Sequence, residues 1–177
     1  HCADKINDHR RIMKMMWRHF EIIAKHAGWV NACVVNEWPL NCQYWREPRV
    51  KRVFQNNAYD FVVAHGCMAG LRSINKQDFG QPVKKPWKLM TNKVEYLLPM
   101  RQRFTCRGHH SWSSGHAACA GKNTKYSEGY TEEFFRMVHF CFFEYIKKVA
   151  ARNRCEPVPT LRTDDYDDDY YDVSRLD

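Results

Sequence analysis

Between Cys106 and Cys119 the chain reads Cys-Arg-Gly-His-His-Ser-Trp-Ser-Ser-Gly-His-Ala-Ala-Cys. Thiolate and imidazole are the donors zinc takes. Cys106 with His109, and His116 with Cys119, each carry the two-residue separation that lets a pair wrap one side of a tetrahedral ion. The six residues between the pairs form the return loop, and His110 can replace either histidine. Four protein donors leave no position for water, so the chemistry expected is a closed structural site rather than a catalytic one. Without a metal, the same stretch is a Gly/Ser-rich surface loop with two unrelated cysteines.

Charge is the second chemical feature. The chain of 177 residues carries a net +8. Its last fourteen residues, Asp164 to Asp177, hold seven aspartates against one arginine, which leaves +14 on residues 1–163. A body this basic concentrates polyanions, and its affinity for DNA or RNA would come largely from counterion release. The tail cannot bury a core; it reads as an extended acidic segment able to fold back over the basic face or engage a protein partner. The organisation expected is a domain over residues 1–159 and an acidic tail over 160–177.

Composition bounds the rest. A chain of this length, 44% hydrophobic and 14% aromatic, can bury a core without covalent staples. No run of eighteen apolar residues is present, so no membrane partner is expected. The eight cysteines would permit four disulfides. Their placement in apolar runs and in a helix, and the absence of an Asn-x-Ser/Thr sequon, favour a reducing, intracellular compartment, the nucleus included. The chain opens on His1 rather than Met, which reads as a processed or excised product.

The elements that must position these residues follow from periodicity. A helix is expected from Asp8 to about Ala27, with Ile12, Met16, Phe20, Ile23 and Ala27 as its inner stripe and Gly28 as its stop. A buried strand is expected over Trp29 to Asn36, a second helix from Pro48 and a second buried strand from Tyr59 to His65. This β-α-β spacing implies a parallel sheet. A polar loop over Gly70 to Pro86 leads to a strand from Trp87 to Thr91 and a short helical stretch near Val94 to Leu98. Thr131 opens a long terminal helix with Phe134, Val138, Phe142, Tyr145 and Val149 inward.

One series of short motifs runs through these elements. It comprises Glu37-Trp38-Pro39 with Cys42 and Tyr44-Trp45, His65-Gly66-Cys67-Met68-Ala69-Gly70-Leu71, Lys84-Lys85-Pro86-Trp87, Thr91-Asn92, the Cys/His segment, Gly121-Lys122-Asn123-Thr124, Tyr130-Thr131 and Val138-His139. Over residues 9–146 the series resembles the second half of a DNA (cytosine-5) methyltransferase catalytic domain, in the diverged form found in retroelement-type polyproteins. The resemblance implies a partial Rossmann-like, three-layer α/β domain with a mainly parallel sheet. It also implies that Glu37 contacts the ring of a flipped cytosine and that Lys84 and Lys85 meet the target or its phosphates. A carboxylate at a strand's carboxyl end stands where α/β folds place ligands.

The 177 residues hold no Gly-rich strand-to-helix turn for S-adenosylmethionine before residue 29 and no Pro-Cys nucleophile loop. No catalytic residue is therefore assigned, and transmethylation would need another segment or subunit. The expected function is a non-catalytic, methyltransferase-like module that binds nucleic acid or supports assembly. Lys84, Lys85, Arg101, Arg103 and Arg107 are its nucleic-acid contacts, and Cys106, His109, His116 and Cys119 hold a structural zinc. The alternatives are a structural subunit of a larger complex, or half of an active DNA methyltransferase.

Overall fold

The computed structural model describes residues 2–108, 110–113 and 115–155. Five helices and a three-stranded sheet follow in the order α1 (Cys2–Trp29), β1 (Val35–Pro39), α2 (Pro48–Asn56), β2 (Asp60–His65), β3 (Pro86–Thr91), α3 (Val94–Phe104), α4 (Lys122–Tyr126) and α5 (Glu132–Cys155). Single 3-10 turns at Gln43–Arg46, Gly66–Ala69 and Lys76–Asp78 punctuate the loops.

The sheet is antiparallel, with strand order β1-β3-β2. This overturns the expected parallel, Rossmann-like sheet, and the reason is topological. β1 and β2 do run the same way, as the β-α-β spacing implies, but they are not neighbours. β3 inserts between them and pairs with both in the opposite sense, Leu89 standing opposite Glu37 on one side and Val62 on the other. The segment from Gly66 to Lys85 contains no helix long enough to cross the sheet, so the chain re-enters from the end where β2 left it. An apolar run signals a strand buried on both faces, and it reads alike whichever way its neighbours run.

Helices cover both faces of this sheet. On one face Val62, Ala64, Trp87 and Leu89 pack against Tyr96, Leu97 and Met100 of α3 and Phe134, Met137, Cys141 and Tyr145 of α5. On the other, Met90 packs with Trp17 and Ala24 of α1 and Val50, Val53 and Phe54 of α2, under the partly buried rings of Phe20, Trp38, Trp45 and Tyr59. Two inner stripes differ from expectation. In α1 the inward residues are Trp17, Ala24 and Ala27 with Phe20 beside them, whereas Ile12, Met16 and Ile23 are exposed. Both stripes have helical spacing; the indole of Trp17, against Phe54 and Trp38 at ring-centre distances of 5.6 and 5.4 Å, brings the larger apolar area and turns its own side inward. In α5 the same competition favours Met137 and Cys141 over Phe142, which stays exposed.

Boundaries shift as well. β1 begins at Val35, because α1 runs to Trp29 and Asn31, in the turn after it, takes a left-handed φ of 53°. α3 continues to Phe104 and so delivers the chain directly to Cys106. Thr131 does start α5: its hydroxyl accepts from the Phe134 N–H at 3.1 Å and donates to the Ala69 carbonyl, tying the helix start to the turn after β2. The expected 159/160 boundary and the acidic tail lie outside the described residues.

Candidate metal centre

The turn after β2 puts Cys67 in the interior, 3% exposed. Gly66 allows this: a Cβ there would lie 2.8 Å from the Leu71 side chain and 3.3 Å from the Val83 carbonyl, and the Gly66 N–H donates to Lys85 O at 2.8 Å. From the other side α3 ends at Phe104, and the Cys106 N–H donates to His65 Nδ1 at 3.0 Å. The chain then turns, with His110 bridged to Ser113, and runs back so that Ala117 N–H donates to Pro82 O at 2.9 Å. These anchors bring two segments about forty residues apart in sequence to one point.

At that point stand Cys67, Cys106, His110 and His116, with one ligand atom from each all within 4.8 Å of one another. The Cys106 Sγ lies 3.4 Å from His116 Nε2 and 3.7 Å from His110 Nε2, and the two imidazole nitrogens are 3.1 Å apart. A tetrahedral ion with bonds of about 2.3 Å to sulfur and about 2.0 Å to nitrogen requires edges of about 3.5 Å for S···N and about 3.3 Å for N···N. A hydrogen bond accounts for any one of these contacts; a common centre accounts for all of them. The cluster can hold a metal ion.

Burial shifts two of the donors toward their neutral forms. Burial, followed by the Cys106 thiol beside it, pushes the Cys67 thiol up to about 12. Such a thiol ionises against a coordinating ion, which deprotonates it outright. Burial, then His110 and Lys84, hold His116 below the usual imidazole range, which leaves the neutral ring that coordinates metals. The Gly108 N–H donates to Cys106 Sγ at 3.3 Å. Over the outer side the Arg72 guanidinium sits 4.1 Å from the Trp112 ring, which in turn lies 4.8 Å from the His110 ring, forming a three-layer lid.

Of the expected ligands, Cys106 and His116 are brought together, and His110 takes the place that its alternative role allowed. His109 lies outside the described residues. Cys119 stands elsewhere: it is exposed, and its thiol meets the Ser127 hydroxyl at 3.4 Å. Cys67 is the candidate ligand that sequence spacing missed. Its signal was a cysteine between two glycines, Gly66 and Gly70, directly after a strand, which marks a turn rather than a strand interior.

Glu37 lies on the α3/α5 side of the sheet in register with Leu89. Tyr130 donates its hydroxyl to Glu37 Oε2, while Oε1 is enclosed with no partner among the described residues. Burial raises this carboxyl above its ordinary range, against the opposing pull of Tyr130 and Lys85. Lys85 is itself engaged, its ammonium donating to the Ser127 carbonyl at 2.6 Å. Arg101 reaches the Phe61 carbonyl of β2 at 3.5 Å, whereas Arg103 lies 4.2 Å over the Phe140 ring of α5. Arg107 is exposed beside the metal cluster, and Lys84 is close enough to depress His65 and His116. The five expected basic contacts are thus distributed: Lys84 and Arg107 flank the cluster, and the other three engage neighbouring protein groups.

Compared with family models, with curated proteins and with solved structures, the chain finds no match in any of the three.

Proposed function

We propose that this chain is a non-catalytic nucleic-acid-binding module whose loops are pinned by one structural zinc ion. The observation that carries the reading is a set of two thiols and two imidazoles whose ligand atoms all lie within 4.8 Å of one another, in a body bearing +14 over residues 1–163. Sulfur and nitrogen donors with no carboxylate among them favour zinc over magnesium, calcium or manganese, and four protein donors close the site to water. Such an ion would fasten the strap from Thr105 to Ala117 onto the turn after β2, with Lys84, Arg72 and Arg107 around it. The cytosine-5 methyltransferase likeness adds a role for Glu37 as a contact to a base.

The test is binding of labelled single-stranded and duplex oligonucleotides across a salt series. If about four to six cations meet phosphates, log affinity falls against log salt with a slope of roughly −3 to −5. A salt-independent affinity, or no binding at low ionic strength, overturns the reading. It would favour a second one, a structural subunit of a larger assembly. One observation supports that second reading: the outer side of α1 exposes Ile12, Met15, Met16, Ile22 and Ile23 together.

A further inference from the structure

We infer that the cleft between α1 and the β1–α2 connection is a subsite for one nucleotide of a single-stranded nucleic acid, a proposal that rests on the nucleic-acid reading above. The cleft has a volume of about 400 Å³. That falls in the range of about 300–1,000 Å³ typical of small-ligand pockets, and it is far too small for a duplex or a helix. Three aromatic side chains line it in sequence: Trp17 and Trp38 have ring centres 5.4 Å apart, and Trp38 and Tyr44 have theirs 5.8 Å apart. Arg10 and Lys14, one turn apart on α1 and both exposed, stand on the same cleft. Neither makes an ion pair among the described residues.

Three groups define the ligand's chemistry. Trp17 is only 6% exposed, and its indole N–H is enclosed without an acceptor among the described residues, so the ring forms the closed apolar floor of the cleft rather than a donor to a ligand. Trp38 and Tyr44 offer half-exposed rings on which any base can stack, and two unpaired cations one helical turn apart suit consecutive phosphates. Glu47, also on the cleft, can accept from a base N–H such as the N3–H of thymine. The Tyr44 ring is held in place by its hydroxyl, 2.9 Å from His9 Nδ1. The wall itself is held by the Arg49–Glu21 ion pair between α2 and α1.

The experiment measures a labelled ten-nucleotide oligothymidylate by fluorescence anisotropy against the full chain, with folding followed by circular dichroism. Three variants are compared: Tyr44→Ala, the double reversal Arg10→Glu with Lys14→Glu, and a control reversal, Lys122→Glu with Lys125→Glu on α4, which changes net charge equally. Tyr44→Ala should weaken binding about fivefold or more. The cleft reversal should weaken it by about tenfold or more and flatten the salt slope by about 1.4, the share of two phosphates on a single strand. The control should change affinity by less than about threefold, within the screened reach of distant charges. Equal weakening in both reversals, wild-type affinity in the cleft variants, or equal competition by polyglutamate overturns the subsite while leaving the module reading in place. No binding by the unaltered chain at low salt overturns both. If Tyr44→Ala fails to fold, the reversal decides alone, since Arg10 and Lys14 are exposed.

Discussion

At the scale of residues, the cysteines separate by burial rather than by spacing. Cys67 and Cys106 are enclosed, 3% and 6% exposed, and face two imidazoles; Cys119 is exposed and faces a hydroxyl. The two assignments make opposite demands on substitution. Purified protein is expected to carry about one equivalent of zinc, because closed structural sites hold their ion tightly. Cys67→Ser should reduce that to below about 0.2 equivalents, and Cys119→Ser should leave it unchanged. Elemental analysis of the two variants checks this, and metal lost with Cys119 but kept without Cys67 would restore the ligand pairs read from sequence. Because holding the ion contributes to folding, chelation should also lower the thermal midpoint of the unaltered chain.

At the scale of elements, the helices make the core and the loops make the centre, so the bonds that hold the loops matter. Asn123, 1% exposed at the start of α4, is the principal clasp. Its amide donates to Ser73 Oγ at 2.8 Å and to the Ala118 carbonyl at 3.0 Å, and its carbonyl accepts from the Ile74 N–H at 2.9 Å. This ties the loop after the Cys67 turn to the end of the strap that carries His116. Asn123→Ala takes a partner from the Ile74 N–H and the Ala118 carbonyl, at about 1–3 kcal/mol for a group left unsatisfied, whereas the Ser73 hydroxyl keeps its bond to Asp78 Oδ1 at 2.6 Å. Urea unfolding should therefore show a loss of about 1–3 kcal/mol with little change in slope. A loss below about 0.5 kcal/mol would mean that the loops are held by the metal and the apolar contact of Leu71, Val83 and Ala117 instead.

At the scale of the whole molecule, charge is divided between body and tail, and their attraction should be measurable. With +14 on residues 1–163 and −6 on Asp164 to Asp177, the tail should compete with phosphates for the same cations. Truncation after Pro159 should tighten oligonucleotide binding several-fold at about 20 mM salt. The gain should shrink above about 0.2 M, where screening shortens the reach of both partners. Tighter binding that persists at high salt would point to steric blocking rather than charge. The same scale holds the apolar side of α1, whose isoleucines and methionines remain outside because Trp17, Phe20 and Ala24 already fill the space over β3.

Several features were legible without coordinates because they depend on neighbours along the chain. Pro48 begins a helix, Thr131 caps one, and the apolar runs before His65 and Thr91 form strands; each rests on backbone and burial preferences acting over a few residues. The basic body and the concentration of cysteine and histidine between Cys106 and Cys119 are likewise properties of composition. Three things required the folded chain. Strand adjacency was one, since inserting β3 between β1 and β2 leaves every local pattern unchanged while reversing the pairing. The inner sides of α1 and α5 were another, settled by which side chains fill the space above the sheet. The last was the fourth ligand, because Cys67 reaches Cys106 only after β2 and α3 have packed, and a separation of nearly forty residues carries no periodicity from which a contact can be read.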